Sequence, residues 1–183
     1  MIYSYKLTTD NGSAPCADNG LLSLTICKPM IRKKCKINDY IIGISSKNMK
    51  LGNKHKIIYI AKITKIITIK DYYKKYPKRK DCIYNDLDKQ ITNIYHCSNE
   101  KYKDLSGIYS LISNDFIYFG DKYIDLPIKF NDMVKKYQGH KSISNNKFLN
   151  IFPKYFNNLK NKYGHGKLGN YNNLKDSCNK YNK

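Results

Sequence analysis

The chain has 183 residues, a length that suits one domain and can bury a core without help from disulfides or metals. Its 34 Lys and Arg stand against 14 Asp and Glu, for a net charge of +20, and Lys, Asn, Ile and Tyr make up about half of it, the composition that AT-rich codons impose. The six cysteines form no C-x-x-C pair or zinc-finger spacing, and no apolar run approaches the roughly 20 residues that span a bilayer, so the reading is of an intracellular, cytoplasmic protein with reduced thiols, no metal and no membrane partner.

In chain order, residues 1–8 alternate as a strand and carry no basic-then-apolar leader. A turn-rich stretch from Asp10 to Pro15 and the pair Asn19-Gly20 lead to the apolar run Leu21 to Ile26. Lys28-Pro29 breaks the chain, and Ile31 to Lys36 fits a short basic helix with Pro29 in its first turn. Asn38-Asp39 then feeds a core strand, Tyr40 to Ile44, and the β-branched run Lys56 to Ile69 gives one long strand or two. Asp71 to Tyr76 reads as a helical turn stopped by Pro77, and Lys78 to Lys103 as a long excursion with little regular structure. Ile108 to Ser113 and Phe116 to Gly120 are two further strands. Asn146 to Lys162 spaces its apolar residues helically, with Pro153 expected to bend or split the helix.

Strands that do not alternate with regular helices predict an α+β fold: a small mixed β-sheet or open β-barrel wrapped by short helices. The expected organisation is one domain over residues 1–163 and a loosely ordered basic tail over 164–183.

No G-x-x-x-x-G-K-[ST] pattern occurs, the glycine string Gly164-His165-Gly166-Lys167-Leu168-Gly169 follows no expected strand, and the four histidines have no partner at i+3 or i+4, so no metal-ligand set and no cofactor is signalled. His140, just beyond a helical stretch, is the histidine placed to reach a cleft. In a chain drifting toward lysine, its two arginines, Arg32 and Arg79, are informative, because a fork that was not needed would have been lost. Lys28 adjoins Cys27 and could lower the pKa of its thiol. With no tryptophan, a base-stacking surface would be built from Tyr3, Tyr5, Tyr40, Phe116 and Phe119, although strand aromatics more often fill cores.

The ordered set Tyr3-Ser4-Tyr5, Asp10-Asn11-Gly12, Ala14-Pro15, Asn19-Gly20, Leu24, Cys27-Lys28-Pro29, Ile31-Arg32, Asp39-Tyr40-Ile41 and Gly43 resembles the opening of the nucleotide modification associated domain 2 family. The likeness continues through Tyr59, Ala61, Ile83-Tyr84, Leu111-Ile112-Ser113, Phe116, Tyr118-Phe119-Gly120, Gly139-His140 and Gly164-His165-Gly166. Asn38-Asp39-Tyr40 stands where the family tends to Gly-Asp-Trp, and Cys16-Ala17 where it tends to Asn-Pro. The resemblance implies a role in systems of bacteria, phages and large DNA viruses that modify DNA bases, with a location in host cytoplasm or virion if the chain is viral. At the level of fold, the Asp39 strand entry and long β-rich segment also look like the small-barrel domains of the PUA and EVE type.

Three readings follow. In the first, the protein recognises a nucleotide or DNA, possibly modified: Lys28 and Arg32 contact phosphate or a base edge, Asp10 or Asp39 accepts from a base amino group, and Tyr3, Tyr5, Tyr40, Phe116 and Phe119 hold the base, with Pro15 and Ser113 beside them. In the second it is an enzyme on a nucleotide or modified base, with Asp10 or Asp39 as general base and His140 as proton carrier. In the third it coats DNA through charge alone. Whether a bond is broken is left open.

Overall fold

Alternation over residues 2–7 puts Tyr3, Tyr5 and Leu7 on one face of the first strand and Ile2 on the other, and both faces are buried. The computed structural model describes residues 1–85, 87, 89, 101–137 and 139–172. In chain order its strands are β1 (Ile2–Leu7), β2 (Cys16–Asp18), β3 (Leu21–Leu24), β4 (Tyr40–Ser45), β5 (Lys56–Lys62), β6 (Lys65–Thr68), β7 (Tyr109–Ser113), β8 (Asp115–Tyr118), β9 (Ile124–Asp125), β10 (His140–Ile143) and β11 (Gly166–Lys167). The helices are α1 (Pro29–Lys34), α2 (Ile69–Lys75), α3 (Lys101–Leu105) and α4 (Asn146–Tyr163).

The central sheet runs β10-β1-β4-β5-β8-β11, with β9 pairing one end of β5. β1 and β4 are parallel, as are β8 and β11, and the other pairs are antiparallel. The second sheet, β2-β3-β7-β6, is antiparallel throughout. Both sheets are open and the fold is mixed α+β, so the barrel alternative gives way to two sheets.

The long apolar run is two strands because the chain changes sheets within it. Ile63 N–H still bonds Asp39 O at 2.8 Å, whereas Thr64 N–H bonds Ile112 O at 2.9 Å in the other sheet. β2 occupies a stretch that composition marks only as turns. A three-residue strand between Pro15 and Asn19 offers too short a run for alternation to register.

One face of the central sheet, with Ile2, Ile42, Ile44, Ile60 and Ile117, packs under α4 through Phe148, Phe152, Phe156 and Leu159. Burying those four side chains contributes about 6–12 kcal/mol at about 1.5–3 each, more than the ~3 kcal/mol that an interior proline costs. α4 accordingly runs unbroken through Pro153. The other face, with Tyr3, Tyr5, Leu7, Ile41, Tyr59, Phe116 and Tyr118, packs on Leu22, Leu24 and Leu111 of the second sheet and on Ile31 of α1. Among the described residues no helix is long and apolar enough to cross a membrane.

Candidate functional site

Pairing across the central sheet aligns His140, Tyr5, Gly43, Tyr59, Tyr118 and Lys167 in one row on the face turned toward the second sheet. Glycine is required in the middle of this row. A Cβ at position 43 would stand 2.1 Å from Tyr59 Cε1 and 2.6 Å from Leu7 Cδ1, so the Tyr59 ring lies where a side chain would otherwise be. Lying there, Tyr59 donates its hydroxyl hydrogen to the Tyr5 oxygen at 2.8 Å. Farther along, the Tyr118 hydroxyl donates to Asp10 Oδ1 at 2.5 Å. The second Asp10 oxygen accepts from the Asn172 side-chain amide at 2.8 Å and from its backbone N–H at 3.4 Å. Burial raises the Asp10 carboxyl above its ordinary value, and these hydrogen bonds oppose the rise only in part.

Asn172 lies in the segment 164–183 expected as a loosely ordered tail, of which residues 173–183 lie outside the described residues. From Gly166 to Asn172 it is instead tied down: β11 pairs with β8, Asn170 and Asp121 exchange backbone and side-chain bonds, and Ala17 N–H donates to the Tyr171 hydroxyl at 2.9 Å. The Tyr171 ring lies over Gly12, with Lys167 Nζ 3.9 Å and Lys80 Nζ 4.9 Å from its centroid.

At the other end of the row is a cationic rim. Cys27 and Lys28 are consecutive non-glycine residues with left-handed backbones, φ 57° and 43°, a conformation that must be held by its surroundings. Asp104 and Arg32 supply the hold. Cys27 N–H donates to Asp104 Oδ1 at 2.5 Å, and Arg32 Nε donates to Cys27 O at 2.8 Å. The bend places Lys28 Nζ 4.8 Å above the Tyr5 ring, and burial lowers the pKa of its ammonium. His140 pairs with Tyr5 across the strands, and its ring lies 6.4 Å from that of Tyr3. Burial, followed by the charges of Lys135, Lys34 and Lys28, holds His140 below its ordinary 6.5 and so disfavours the imidazolium. Lys34 ends α1 and Lys135 follows the 3-10 turn at Ile128–Met133, and both are exposed.

Of the residues expected to act together, Tyr3, Tyr5, Lys28, His140 and Asp10 lie on this one side of the central sheet. Tyr3 and Tyr5 are 3 % and 2 % exposed, so they form the floor of the rim. Arg32 lies beneath it, fully buried, and gives its donors to three backbone carbonyls: Cys27 O, Tyr109 O at 2.9 Å and Asp104 O. Gly107 packs flush on its guanidinium, where a Cβ would stand 2.3 Å from Cζ. Its fork is thus spent on positioning the Cys27–Lys28 bend.

Asp39 precedes β4, at the far end of the β1/β4 pair from Asp10, and holds the Met1 amino group at 2.7 Å and Lys36 N–H at 2.8 Å. Tyr40 and Phe119 pack on the α4 side, edge-on to Phe152, Phe156 and Tyr163. Phe116 is buried between the sheets, and Pro15 is buried after a cis bond to Ala14. Ser113 accepts from Asp115 N–H in the turn between β7 and β8. No hydrogen bond joins Asp10 to His140, and the charges acting on His140 are lysines, so the expected Asp/His pair is not assembled among the described residues. Burial pushes the Cys27 thiol up to about 11, so Lys28 does not create a thiolate there.

Sequence reasoning missed Lys34, Lys135 and Asn172, together with Tyr59 and Tyr118 as site residues. The available signal for the last two was a single tyrosine in each of two otherwise apolar strand runs. It also missed Asp81, on the outer side of the second sheet, where Ser23, Tyr72 and Arg79 surround the carboxylate.

The sequence model of one family, nucleotide modification associated domain 2, matches residues 1–103 and 84–174. No curated protein and no solved structure matches the chain. The matched segments cover β1 through β11, the tyrosine row and both of its ends, and the chain belongs to the nucleotide modification associated domain 2 family.

Proposed function

We propose that this protein recognises a nucleotide, free or within DNA, and that it seats the phosphate on the rim formed by Lys28, Lys34, Lys135 and His140. The observation that carries this reading is the fixed position of Lys28. A strained bend, clamped by Arg32 and Asp104, holds the ammonium over Tyr5 and beside His140, and among the described residues no carboxylate pairs with it.

A partly buried cation without a counter-ion is costly, and an arriving phosphate would relieve that cost at Lys28 while favouring the protonated form of His140. Lys34 and Lys135 reach the same place from separate elements and remain open to solvent, as contacts to a charged backbone require. The family's description supports a role in nucleotide modification. Binding is favoured over acid–base catalysis because the charges acting on His140 are lysines, and among the described residues no carboxylate orients it.

Fluorescence anisotropy with labelled duplexes tests this reading. Wild type binds modified DNA more tightly than unmodified DNA, and Lys28→Gln weakens both, lowering the slope of log affinity against log salt by about 0.9. An unchanged affinity and slope in Lys28→Gln would reduce the protein to a nonspecific polycation.

A further inference from the structure

Asp10 is held differently from the other buried carboxylates. Asp39 meets the Met1 amino group at 2.7 Å, Asp81 meets Arg79 at 3.6 Å, and Asp104 lies in the field of Arg32. Asp10, 2 % exposed, forms no ion pair among the described residues, and the charge of Lys167 acts on it less than its hydrogen bonds to Tyr118 and Asn172 do. Removing a carboxylate from water without a cation destabilises the fold, and a group kept at that cost in a candidate site calls for a ligand.

Its partners indicate which ligand. Tyr118 fixes Oδ1, leaving Oδ2 as the acceptor for two N–H groups of one residue, the backbone and side-chain amides of Asn172. Two adjacent N–H donors are what the Watson–Crick edge of guanine offers through N1–H and its 2-amino group. Adenine and cytosine set an acceptor beside their amino group, and hypoxanthine keeps only N1–H. Asn172 is half-buried and its backbone bond to Asp10 is long, at 3.4 Å, so displacing this one residue, side chain and backbone N–H together, frees Oδ2. We propose that Asp10 is the base-reading acceptor of this site, selective for a guanine-type edge, and that the Asn172 amides occupy it in the absence of ligand. The proposal rests on the reading of the tyrosine face as a nucleotide site.

Guanosine, inosine and adenosine carry a base without phosphate and so probe Asp10 separately from the rim, while inorganic pyrophosphate probes the rim alone. Titrated calorimetrically into the full chain, guanosine binds more tightly than inosine and inosine more tightly than adenosine. Asn172→Ala removes the closer of the two internal donors, the side-chain amide at 2.8 Å, and tightens guanosine by about tenfold, leaving pyrophosphate unchanged, and Asp10→Asn erases the preference for guanosine over inosine. In wild type, saturating guanosine speeds hydrogen exchange at the Asn172 amide, a readout that needs no variant. No guanosine binding by Asn172→Ala, an equal gain for adenosine, or unaltered exchange at Asn172 overturns the assignment of Asp10. Guanosine preference without pyrophosphate binding would instead remove the phosphate rim and leave Asp10 as the base reader.

Discussion

Asp81 and Asp10 are both buried carboxylates that accept from a tyrosine hydroxyl, Tyr72 at 2.7 Å and Tyr118 at 2.5 Å. Around Asp81 the remaining partners are Ser23 and a fully engaged arginine: Arg79 also bonds Tyr72, Asp18 O, Cys16 O and Leu21 O, drawing β2, β3 and α2 together. Around Asp10 the remaining hydrogen-bond partner is one neutral residue near the end of the described chain, Asn172, through its backbone and side-chain amides. The difference separates scaffold from site. A charge neutralised by a multiply bonded arginine works as a joint, whereas one left with neutral donors costs stability and persists where function requires it.

The largest effect is expected at the Asp81 joint. Arg79→Gln leaves the carboxylate without its cation and should cost about 3–5 kcal/mol, read as a lower urea midpoint; a loss no greater than that of an exposed lysine would dissolve the contrast. Gly43→Ala comes next. Its Cβ would enter the Tyr59 ring, and overpacking of this kind costs about 1–3 kcal/mol. Asp10→Asn should act with the opposite sign. The amide can donate to the Tyr118 oxygen and still accept from Asn172, so the variant is expected to be more stable at pH 7 by about 0.5–2 kcal/mol while losing ligand preference.

The sign for Asp10 follows from its raised folded pKa: the ionised form is the disfavoured one, so its penalty is present above the raised value and fades as pH falls through it. The gap between Asp10→Asn and wild type therefore narrows in acid, and a gap that widens would contradict the account. The smallest effect concerns His140. Its folded pKa lies below 6.5, so the unfolded chain takes up the proton first and stability declines as pH drops from 6.5 toward the lowered value. His140→Gln should flatten that part of a pH–melting curve and leave the curve above pH 7 unchanged.

Much of this was legible in the sequence, and the failures have physical causes. Alternation located β1, β4, β7 and β8, because strands with two buried faces are rich in β-branched and aromatic residues. The argument from arginine identified two forks that the chain needs. Arg32 is buried, Arg79 partly so, and both grip backbone carbonyls, which composition cannot distinguish from a grip on phosphate because the geometry is the same. Asp10 stood out through its turn, but the sheet pairing that brings Tyr118 to it joins residues more than a hundred positions apart. Asn172 lies in an Asn/Lys-rich stretch where no local pattern marks one asparagine from the next.

The central claim, that phosphate is seated on the rim beside the tyrosine row, is tested most directly by removing equal charge in two places. Lys28→Gln/Lys34→Gln/Lys135→Gln and the α4 control Lys147→Gln/Lys154→Gln/Lys162→Gln lower the net charge identically, and each is titrated with the same duplex at fixed salt. The account predicts a loss of tenfold or more, about 1.4 kcal/mol, for the rim variant and little change for the control. Equal losses in the two would contradict it.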